Sequence, residues 1–489
     1  MEQTQRLTIL LFPLVGCIKT KREIISFTKN TDNVAAFDKF KHDISEGIEK
    51  LLSPSITKLA TLFENEKNAI GLAKGNVSIA SAVHANFSLA DTYTTEVKDT
   101  KSGYTLPLQN NGLGYNNLIN IYMLIKLTEI RPGKDFRILC LEEPEAHLHP
   151  AMQYKLFKYL RDLDNINGLN QQIFVTTHSS NISAVAGIDN MFMLAYNREG
   201  DASDCTQQSL LEQFADKDGT TIKAEAKAHL AKFLDVTRSD MLFSDRVILV
   251  EGIAEKLLVP VFMEICGCPY EDEHISIVEI GGKHFQYFVE LFNGNAVKKK
   301  VLCITDKDFK WIDFDGDGNL RSYSEYESDE PTHIADLKKR FPIENFHIFT
   351  QSMGGRTFED EFFLANMANE NVATTVFKKA ISNTISGFFD KYGFNLTAWE
   401  AHIDEVDGRS RKTIKKFLDA YKSRVDASPE LAPDYEKLIF AEIFLHYAKD
   451  KKGDVALEIL TDKTLMNEDG SSKLVVPRYI QEGLTWLLK

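Results

Sequence analysis

The sequence lacks three features that would each indicate a class of protein. No run of about 18 apolar residues occurs in its 489 residues, which excludes a membrane-spanning helix. The six cysteines are scattered and form no CxxC pair, which argues against a zinc site and favours a reducing, cytoplasmic setting. The phosphate-binding pattern GxxxxGK[ST] is also missing, because neither Gly133-Lys134 nor Gly282-Lys283 fits it.

The composition is that of a globular protein with more acidic than basic residues. The 57 Lys and Arg against 71 Asp and Glu give a net charge of −14, which does not exclude a local basic groove for nucleic acid. The length predicts two or three domains.

The N-terminal region leaves an exported lipoprotein as an alternative, because Leu14-Val15-Gly16-Cys17 is similar to a lipoprotein cleavage box. Glu2 cancels the charge of Arg6, so a buried element of a cytosolic domain is favoured.

Apolar runs and polar stretches divide the chain into four regions. Residues 1–104 are the least informative, with a helical stretch predicted over 34–65. In 105–240, strands and helices alternate up to a boundary predicted near 235–245, with a polar loop over 201–213. Residues 241–365 contain four apolar runs separated by helices, which predict a parallel sheet: 246–250, 274–280, 301–305 and 346–350. Residues 366–489 are predicted to be mainly helical.

The first group of polar residues follows two neighbouring apolar runs. Ile138–Leu141 predicts a buried parallel strand that ends in Glu142 and Glu143. The next strand, over 172–177, is followed by His178. Because strand ends of α/β sheets hold ligands, these carboxylates could hold Mg²⁺ through water and polarise an attacking water.

A second group follows two later apolar runs. Glu251 ends the run Val247–Val250, and Glu255 falls in the first turn of a predicted helix. Asp306 and Asp308 follow the run Val301–Thr305 and lie on one side of an extended segment. Four carboxylates at adjacent strand ends suit Mg²⁺ or Mn²⁺, which prefer oxygen ligands.

The first group resembles the Walker B and switch-histidine elements of ABC-type ATPases, as carried by the overcoming-lysogenisation-defect (OLD) family. The strings are ILCLEEPEAHLHP at 138–150 and Thr176-Thr177-His178-Ser179. The resemblance implies a metal-holding Glu142, a catalytic Glu143 and a γ-phosphate sensor in His178. Asn111-Gly112-Leu113-Gly114 is similar to a degenerate signature loop, which implies nucleotide contacts for Gly112 and Gly114. The resemblance implies ATP as a cofactor, but the lobe with the phosphate loop is expected to be missing, which leaves ATP hydrolysis by this chain alone an open question.

The second group resembles the Toprim domain of OLD nucleases, through VEGxxE at 250–255 and TDxD at 305–308. Further matches are VEIGGKHF at 278–285, TFEDEF at 357–362 and Lys452-Gly453. The resemblance implies metal binding or base catalysis by Glu251 and Glu255, and metal binding by Asp306 and Asp308. It also implies a second-metal ligand in Glu359, favoured over Glu361, and a lysine that stabilises the transition state, for which Lys452 is preferred to Lys449 and Lys451.

These resemblances imply an α/β chain in which a partial ABC-type ATPase domain precedes a Toprim domain, a parallel sheet flanked by helices, and a helical C-terminal region. The expected function is a DNA endonuclease that uses two Mg²⁺ or Mn²⁺ ions, as two-metal sites do. It is expected to act as a homodimer or larger assembly in bacterial antiphage defence. A defence-system partner protein is also expected, and no membrane. The alternative is a non-catalytic metal- and DNA-binding assembly subunit whose partner supplies the ATP-binding lobe. A topoisomerase would need a separate tyrosine-bearing domain, and a primase usually carries a zinc motif.

Two weaker patterns remain open. Asp313, Asp315 and Asp317 imitate the start of an EF-hand loop, but Ser324 replaces its twelfth-position glutamate, so a solvated turn is favoured. A basic cluster opens a later helix and could contact DNA phosphates or form a solvated face: Arg409, Arg411, Lys412, Lys415 and Lys416.

Overall fold

The computed structural model describes part of the chain, and its contacts divide the chain into two compact units. The described residues are 35–51 (without 37 and 49), 96–98, 105–107, 110, 112–130, 137–163, 171–196, 205–210, 214, 221–234, 238–292, 297, 299–308, 331–352, 354–406, 408–427, 429 and 432–489. The first unit is Met1–His178 and the second is Ser179–Lys489. The EF-hand-like stretch and the cleavage-box-like stretch lie outside the described residues.

The first unit contains helical residues within 35–51, followed by short strands and two longer helices. The labelled elements are β1 (Glu96–Lys98), β2 (Thr105–Pro107), α1 (Leu113–Ile130), β3 (Arg137–Glu142), α2 (Pro150–Leu163) and β4 (Gln171–Thr176). β1 pairs with β2 in antiparallel orientation, and β3 pairs with β4 in parallel orientation. The predicted parallel strand pair before Glu142 and His178 is therefore confirmed.

The strand β3 is buried on one face only, whereas the sequence predicted a buried strand. Leu139 and Leu141 are buried, while Ile138 is 58% exposed. Successive side chains of a strand point to opposite faces, so Ile138 and Cys140 lie on the other face from the two leucines. An apolar run alone does not reveal whether both of its faces are covered.

The second unit begins with a small helix and a hairpin and continues into a parallel sheet. Its early elements are α3 (Ser180–Ala186), β5 (Phe192–Tyr196), β6 (Cys205–Ser209), α4 (Thr221–Phe233), β7 (Arg246–Val250), α5 (Ile253–Ile265), β8 (Ile275–Glu279), α6 (Phe285–Phe292), β9 (Lys300–Ile304), α7 (Thr332–Arg340) and β10 (Phe346–Phe349). The later elements are α8 (Phe358–Asn366), α9 (Glu370–Ala380), α10 (Asn383–Tyr392), α11 (Leu396–His402), α12 (Gly408–Ala427), α13 (Ala432–Ala448), α14 (Lys452–Thr461) and α15 (Arg478–Leu488).

The four predicted strands form one parallel sheet in the order β10-β9-β7-β8. The central strands are buried on both faces, and alternate residues enter two different cores. Val247 and Leu249 of β7 pack in a core with α4 and α6. Ile248 and Val250 pack in a larger core with α5, α8 and the C-terminal helices. Cover on both faces explains why these strands are continuous apolar runs.

The C-terminal helices share the larger core with the sheet. Phe358, Phe362 and Phe363 of α8 are at most 1% exposed, and they belong to the same cluster as Ile248 and Leu484 of α15. The helical character predicted for the C-terminal region is confirmed. The region beyond residue 365 is packed into the sheet's own core.

One feature of 179–245 differs from the sequence-based expectation. The predicted loop over 201–213 is wrong in part, because Cys205–Ser209 forms β6, which pairs with β5 in antiparallel orientation. This strand is CTQQS, so it carries no apolar alternation that would predict it. Leu210, Phe214 and Leu230 of this stretch pack into the core above the sheet, and the boundary near 235–245 stays a prediction.

The length and hydropathy of the described helices bear on whether they could span a membrane. Among the residues that the structure describes, no helix combines the length and the apolar character needed to cross a bilayer.

Candidate metal centre

The polar residues predicted from the second group gather at the carboxyl end of the four-stranded sheet. Glu251 directly follows β7, and Asp306 lies two residues beyond β9. The two strands run in parallel with Val250 opposite Ile304, so both chains leave the sheet at the same edge. This edge is the place where α/β sheets hold their ligands.

Glu251 and Asp306 contact each other through the chain after β9. Glu251 Oε2 accepts hydrogen bonds from Thr305 Oγ1 at 3.3 Å and from the Asp306 backbone N–H at 3.5 Å. Asp306 Oδ1 accepts a hydrogen bond of 2.7 Å from Gln351 Nε2. Gln351 in turn accepts from the Lys307 backbone N–H at 2.8 Å. Asp306 is thus held at a fixed position beside Glu251.

Glu359 and Lys452 join the same group from two helices. Glu359 lies in the first turn of α8, and its Oε2 accepts from Lys452 Nζ at 2.9 Å and from Thr357 Oγ1 at 3.0 Å. Lys452 begins α14, which packs on α5. A Cβ on Gly453 would lie 3.0 Å from Ile253 Cγ2, so glycine at this position allows the start of α14 to approach α5 and bring Lys452 to Glu359.

A cleft of about 360 Å³ opens over these residues. Its lining residues are Glu251, Gly252, Glu255, Glu279, Gly281, Gly282, Asp306 and Lys452. The structure therefore brings Glu251, Glu255, Asp306 and Lys452 to one cleft, with Glu359 bonded to Lys452 at its side.

Burial and neighbouring negative charges raise the pKa values of two carboxylates in this group. Burial raises the pKa of Glu255 to about 7, and the charge of Glu359 adds to the rise. Burial also raises the pKa of Asp306 well above its usual range, with the charges of Glu359, Glu255 and Glu251 contributing after burial. Lys452 opposes both shifts. One lysine does not neutralise several carboxylates, so a bound cation would stabilise their charged forms.

Two buried oxygens next to the group test whether a cation fits. Glu359 Oε1 and the Tyr479 hydroxyl are buried and have no hydrogen-bond partner within the described part of the chain. Burial raises the pKa of Tyr479, and the charges of Asp306 and Glu255 add to this rise, as expected of a hydroxyl near the acidic group. Buried polar atoms normally have hydrogen-bond partners or ligands. A bound cation or a water would supply the missing partner of these two oxygens.

The donor set matches Mg²⁺ or Mn²⁺ in type, because carboxylate oxygens are the ligands that these ions prefer. Across the described residues, no three or more His, Cys, Asp and Glu side chains already form a group that could hold a metal ion. Mg²⁺ usually keeps several waters and binds directly to one or two carboxylates, so this donor set suits it without a closed cage.

Two acidic residues considered from the sequence are engaged elsewhere. Asp308 is in the left-handed region at φ 56°, and its side chain pairs with Lys283. Both carboxylate oxygens of Glu361 accept backbone N–H groups, from Ser352 at 2.7 Å and Gly355 at 2.8 Å. Asp308 is thus turned toward Lys283, and Glu361 anchors the loop before α8.

Sequence reasoning missed Gln351, Tyr479, Arg356 and Glu442 as neighbours of this group. A signal existed for Gln351, since it follows the apolar strand β10 as Asp306 follows β9. No comparable signal exists for Tyr479, which lies in α15 and is 1% exposed. That burial also makes Tyr479 unsuitable as the exposed nucleophile of a topoisomerase.

The first polar group lies at the end of β3 and β4 in the first unit. The Glu143 backbone N–H donates to Thr176 O at 2.9 Å, and Glu143 Oε1 lies 3.8 Å from His178 Nε2. Glu145 Oε1 accepts from Thr177 Oγ1 at 2.6 Å and from the His178 backbone N–H at 3.0 Å. The structure thus brings Glu143 and His178 together, next to Glu142 at the end of β3.

Gly112 and Gly114 lie at the start of α1, which contacts the loop after Glu143. Asn117 Nδ2 donates to Pro144 O at 2.9 Å. A Cβ on Gly114 would lie 2.5 Å from His147 O, so this close approach requires glycine. A structural reason therefore exists for Gly114. Asn111, which precedes Gly112 in the signature-like string, lies outside the described residues.

Two family models match the chain. Residues 13–183 match the AAA ATPase domain. Residues 242–308 match the Toprim domain found in proteins similar to the overcoming lysogenization defect protein. The first match includes most of residues 1–104, and the second contains the strand ends that carry Glu251 and Asp306.

Two curated proteins illustrate the similarity. The chain is 25% identical over 482 residues to endonuclease GajA of Bacillus cereus, covering 89% of this chain and 62% of that protein. It is 23% identical over 302 residues to the OLD nuclease of Thermus scotoductus, covering 60% of this chain and 54% of that protein. The chain thus spans less than two thirds of the length of either relative.

Among solved structures, the C-terminal region of the Burkholderia pseudomallei OLD protein matches with 15% identity and a TM-score of 0.30. It covers 50% of this chain and 98% of that chain. The corresponding region of the Xanthomonas campestris OLD protein matches with 19% identity and a TM-score of 0.29, covering 51% and 94%. The chain combines an AAA-type ATPase domain with an OLD-like Toprim domain, and it is homologous to the GajA and OLD nucleases.

Proposed function

We propose that this chain, with its ATPase and OLD-like Toprim domains, is a metal-dependent DNA endonuclease. The observation that carries the proposal is the gathering of Glu251, Glu255, Asp306 and Glu359 with Lys452 at one strand-end cleft. Phosphodiester hydrolysis needs charge neutralisation and an activated water beside the phosphate, and this group of residues suits both needs. The names of the two curated relatives, an endonuclease and a nuclease, support the same reaction.

The acidic residues and Lys452 have separate roles in the proposed reaction. Glu251, Asp306 and Glu359 would hold Mg²⁺ or Mn²⁺, with Asp308 joining them if it leaves Lys283. A bound divalent ion supplies charge neutralisation and lowers the pKa of a bound water. Glu255 takes the proton of the attacking water, and its pKa of about 7 suits a base at neutral pH. Lys452 presents a cation to the developing charge on the phosphate.

The role proposed for the ATPase domain is assembly or regulation. Glu142, Glu143 and His178 are the residues that would meet the metal and γ-phosphate of ATP, and Gly112 and Gly114 would contact nucleotide from the signature-like loop. The family resemblance further leads us to propose a homodimer or larger assembly that acts on DNA in the cytoplasm, in bacterial antiphage defence with a partner protein.

A second candidate function is a non-catalytic subunit that binds metal and DNA. It is favoured by the absence of the pattern GxxxxGK[ST] from the sequence, because a partner would then have to supply the ATP-binding lobe. The two candidates differ in one outcome, which is whether the purified chain breaks phosphodiester bonds.

The test is nicking of supercoiled plasmid by the purified chain with Mg²⁺ or Mn²⁺, with and without ATP. We expect metal-dependent nicking that falls by about 100-fold or more in Asp306→Ala. The substitution removes a proposed metal ligand but leaves no cavity in the hydrophobic core, so the fold should be kept. Asp272→Ala is the matched control, since Asp272 is an exposed carboxylate in the turn before β8, and it should nick as wild type does. Nicking by Asp306→Ala at the wild-type rate would contradict the Toprim assignment. Absence of nicking with either metal would favour the non-catalytic subunit.

A further inference from the structure

A partly buried ion pair joins the loop before α8 to helix α13. Arg356 Nε donates to Glu442 Oε1 at 2.8 Å, and Arg356 Nη2 donates to Glu442 Oε2 at 3.1 Å. The side chains are 19% and 3% exposed. Two parallel hydrogen bonds fix the plane of a guanidinium as well as its distance, so the pair has one preferred geometry.

The backbone of Arg356 contacts both sides of the proposed metal centre. Its carbonyl oxygen accepts from the Asp308 backbone N–H at 2.8 Å. Its own N–H donates to Asp360 Oδ2 at 3.0 Å, and Asp360 directly follows Glu359 in α8. One residue therefore joins the segment after β9 to the first turn of α8.

Asp308 depends on this contact more than an ordinary residue would. Its φ of 56° lies in the left-handed region, which costs free energy for a residue with a side chain. The hydrogen bond to Arg356 O is the backbone contact that holds it there. Displacement of Arg356 would therefore change the direction of the Asp308 side chain.

We propose that the Arg356–Glu442 pair is a positioning device that sets the placement of Asp308 relative to Glu359. Neither side chain is proposed to touch the metal or the DNA. Helix α13 supplies a fixed reference because it packs in the large core, where Ile439, Phe440 and Ile443 are fully buried. This inference rests on the proposed metal-dependent function and adds two positioning residues to it.

The test measures Mn²⁺ affinity by electron paramagnetic resonance, with plasmid nicking beside it. Arg356→Lys keeps the positive charge but removes the second hydrogen bond, and Glu442→Gln keeps the shape but removes the negative charge. We expect about 10-fold weaker Mn²⁺ binding in each, the loss typical of residues that orient metal ligands. The charge-swapped double variant, Arg356→Glu with Glu442→Arg, should bind more tightly than Arg356→Glu alone.

A second ion pair provides the matched control. Arg340 and Glu290 are 3.4 Å apart, with side chains 28% and 4% exposed, and they join α7 to α6. Arg340→Lys makes the same chemical change at a pair on α6 and α7, the helices that pack in the core with Val247 and Leu249. It should alter thermal stability without altering Mn²⁺ affinity.

The outcomes separate this inference from the proposed function. Wild type should bind Mn²⁺, and Asp306→Ala should lose that binding; failure of either result would overturn both proposals. If those hold and Arg356→Lys, folded by circular dichroism, binds Mn²⁺ as wild type does, the positioning role is wrong while the metal centre stands. Equally weakened Mn²⁺ binding in Arg340→Lys would show that the effect comes from a general loss of stability, which would also overturn the positioning role.

Discussion

A buried carboxylate can be held through one oxygen while its other oxygen stays available to a ligand. Glu359 shows this most clearly, because Lys452 and Thr357 hold Oε2 and no described group holds Oε1. A carboxylate anchored in this way keeps its direction without losing all of its capacity to accept. The same residue type serves a different purpose in Glu361, where both oxygens hold backbone N–H groups.

Lys299 gives a prediction for pH at the residue scale. Its ammonium donates to Met241 O at 3.1 Å, to Leu242 O at 2.6 Å and to Ser244 O, and burial lowers its pKa to about 8 from 10.5. Between pH 8 and 10.5 the unfolded chain keeps a proton that the folded chain has lost, so this residue's contribution to stability rises with pH. From pH 7.5 to 9.5 the rise should be about 2 kcal/mol.

The measurement compares the free energy of unfolding of wild type and Lys299→Gln in urea at both pH values. Gln donates hydrogen bonds but does not titrate in this range, so other titrating groups cancel in the difference. The wild type should gain stability relative to the variant as the pH rises. A difference that stays constant, or falls, would show that the folded pKa of Lys299 is not lowered.

At the scale of elements, helix α12 separates an apolar face from a basic one. Ile414, Phe417 and Leu418 are buried, whereas Arg409, Lys412 and Lys416 are exposed and share one stripe at intervals of three and four residues. Arg411, which the sequence placed in the same cluster, instead donates to Val406 O at 2.6 Å and pairs with Asp404. The helix thus uses one basic residue for its own start and exposes the others.

The exposed stripe of α12 predicts contacts with DNA phosphates. Replacing Lys412 and Lys416 together by Gln should weaken DNA binding at low salt and reduce the slope of log affinity against log salt by about 2, one for each lost contact. Binding is measured by fluorescence anisotropy with labelled duplex, without metal. Metal affinity should not change.

Helix α7 offers a control with the same change of charge. Lys338 and Lys339 lie in its last turn and are exposed. Their replacement by Gln should leave the salt slope as in wild type. If both double variants weaken DNA binding equally, the effect is one of net charge and the stripe is not a specific contact.

The extent to which sequence predicts this architecture differs between elements. The four strands of the sheet and the carboxylates after β7 and β9 were predictable, because buried parallel strands are apolar runs and their ends carry polar residues. The pairing of Arg356 with Glu442 was not, because the two residues are 86 positions apart and only tertiary packing brings them together. The strand β6 escaped prediction because its five residues carry no apolar alternation.

At the scale of the whole molecule, the two constellations lie in different compact units, with Glu143 and His178 in the first and the acidic cleft in the second. The sequence has no GxxxxGK[ST] loop to hold ATP phosphates. We therefore expect Glu143→Gln to leave metal-dependent nicking by the purified chain within about two-fold of wild type, because Glu143 is not among the residues of the acidic cleft.

The measurement is plasmid nicking with and without ATP, with ATP hydrolysis followed in parallel. Wild type and Glu143→Gln should give equal nicking in both conditions. Asp306→Ala, measured in the same series, shows that the assay detects a loss. A large drop in Glu143→Gln would contradict the expectation and would mean that a phosphate-binding lobe is supplied in trans.

Helix α8 has a consequence for how the protein responds to heat. All nine of its residues, Glu359 among them, are buried, so its amide hydrogens have little contact with water in the native state. Such amides exchange mainly when the surrounding core opens as a whole. Warming should therefore not loosen Glu359 ahead of the rest of the second unit. Deuterium uptake by α8 and loss of the acidic cleft should occur together, in one cooperative step.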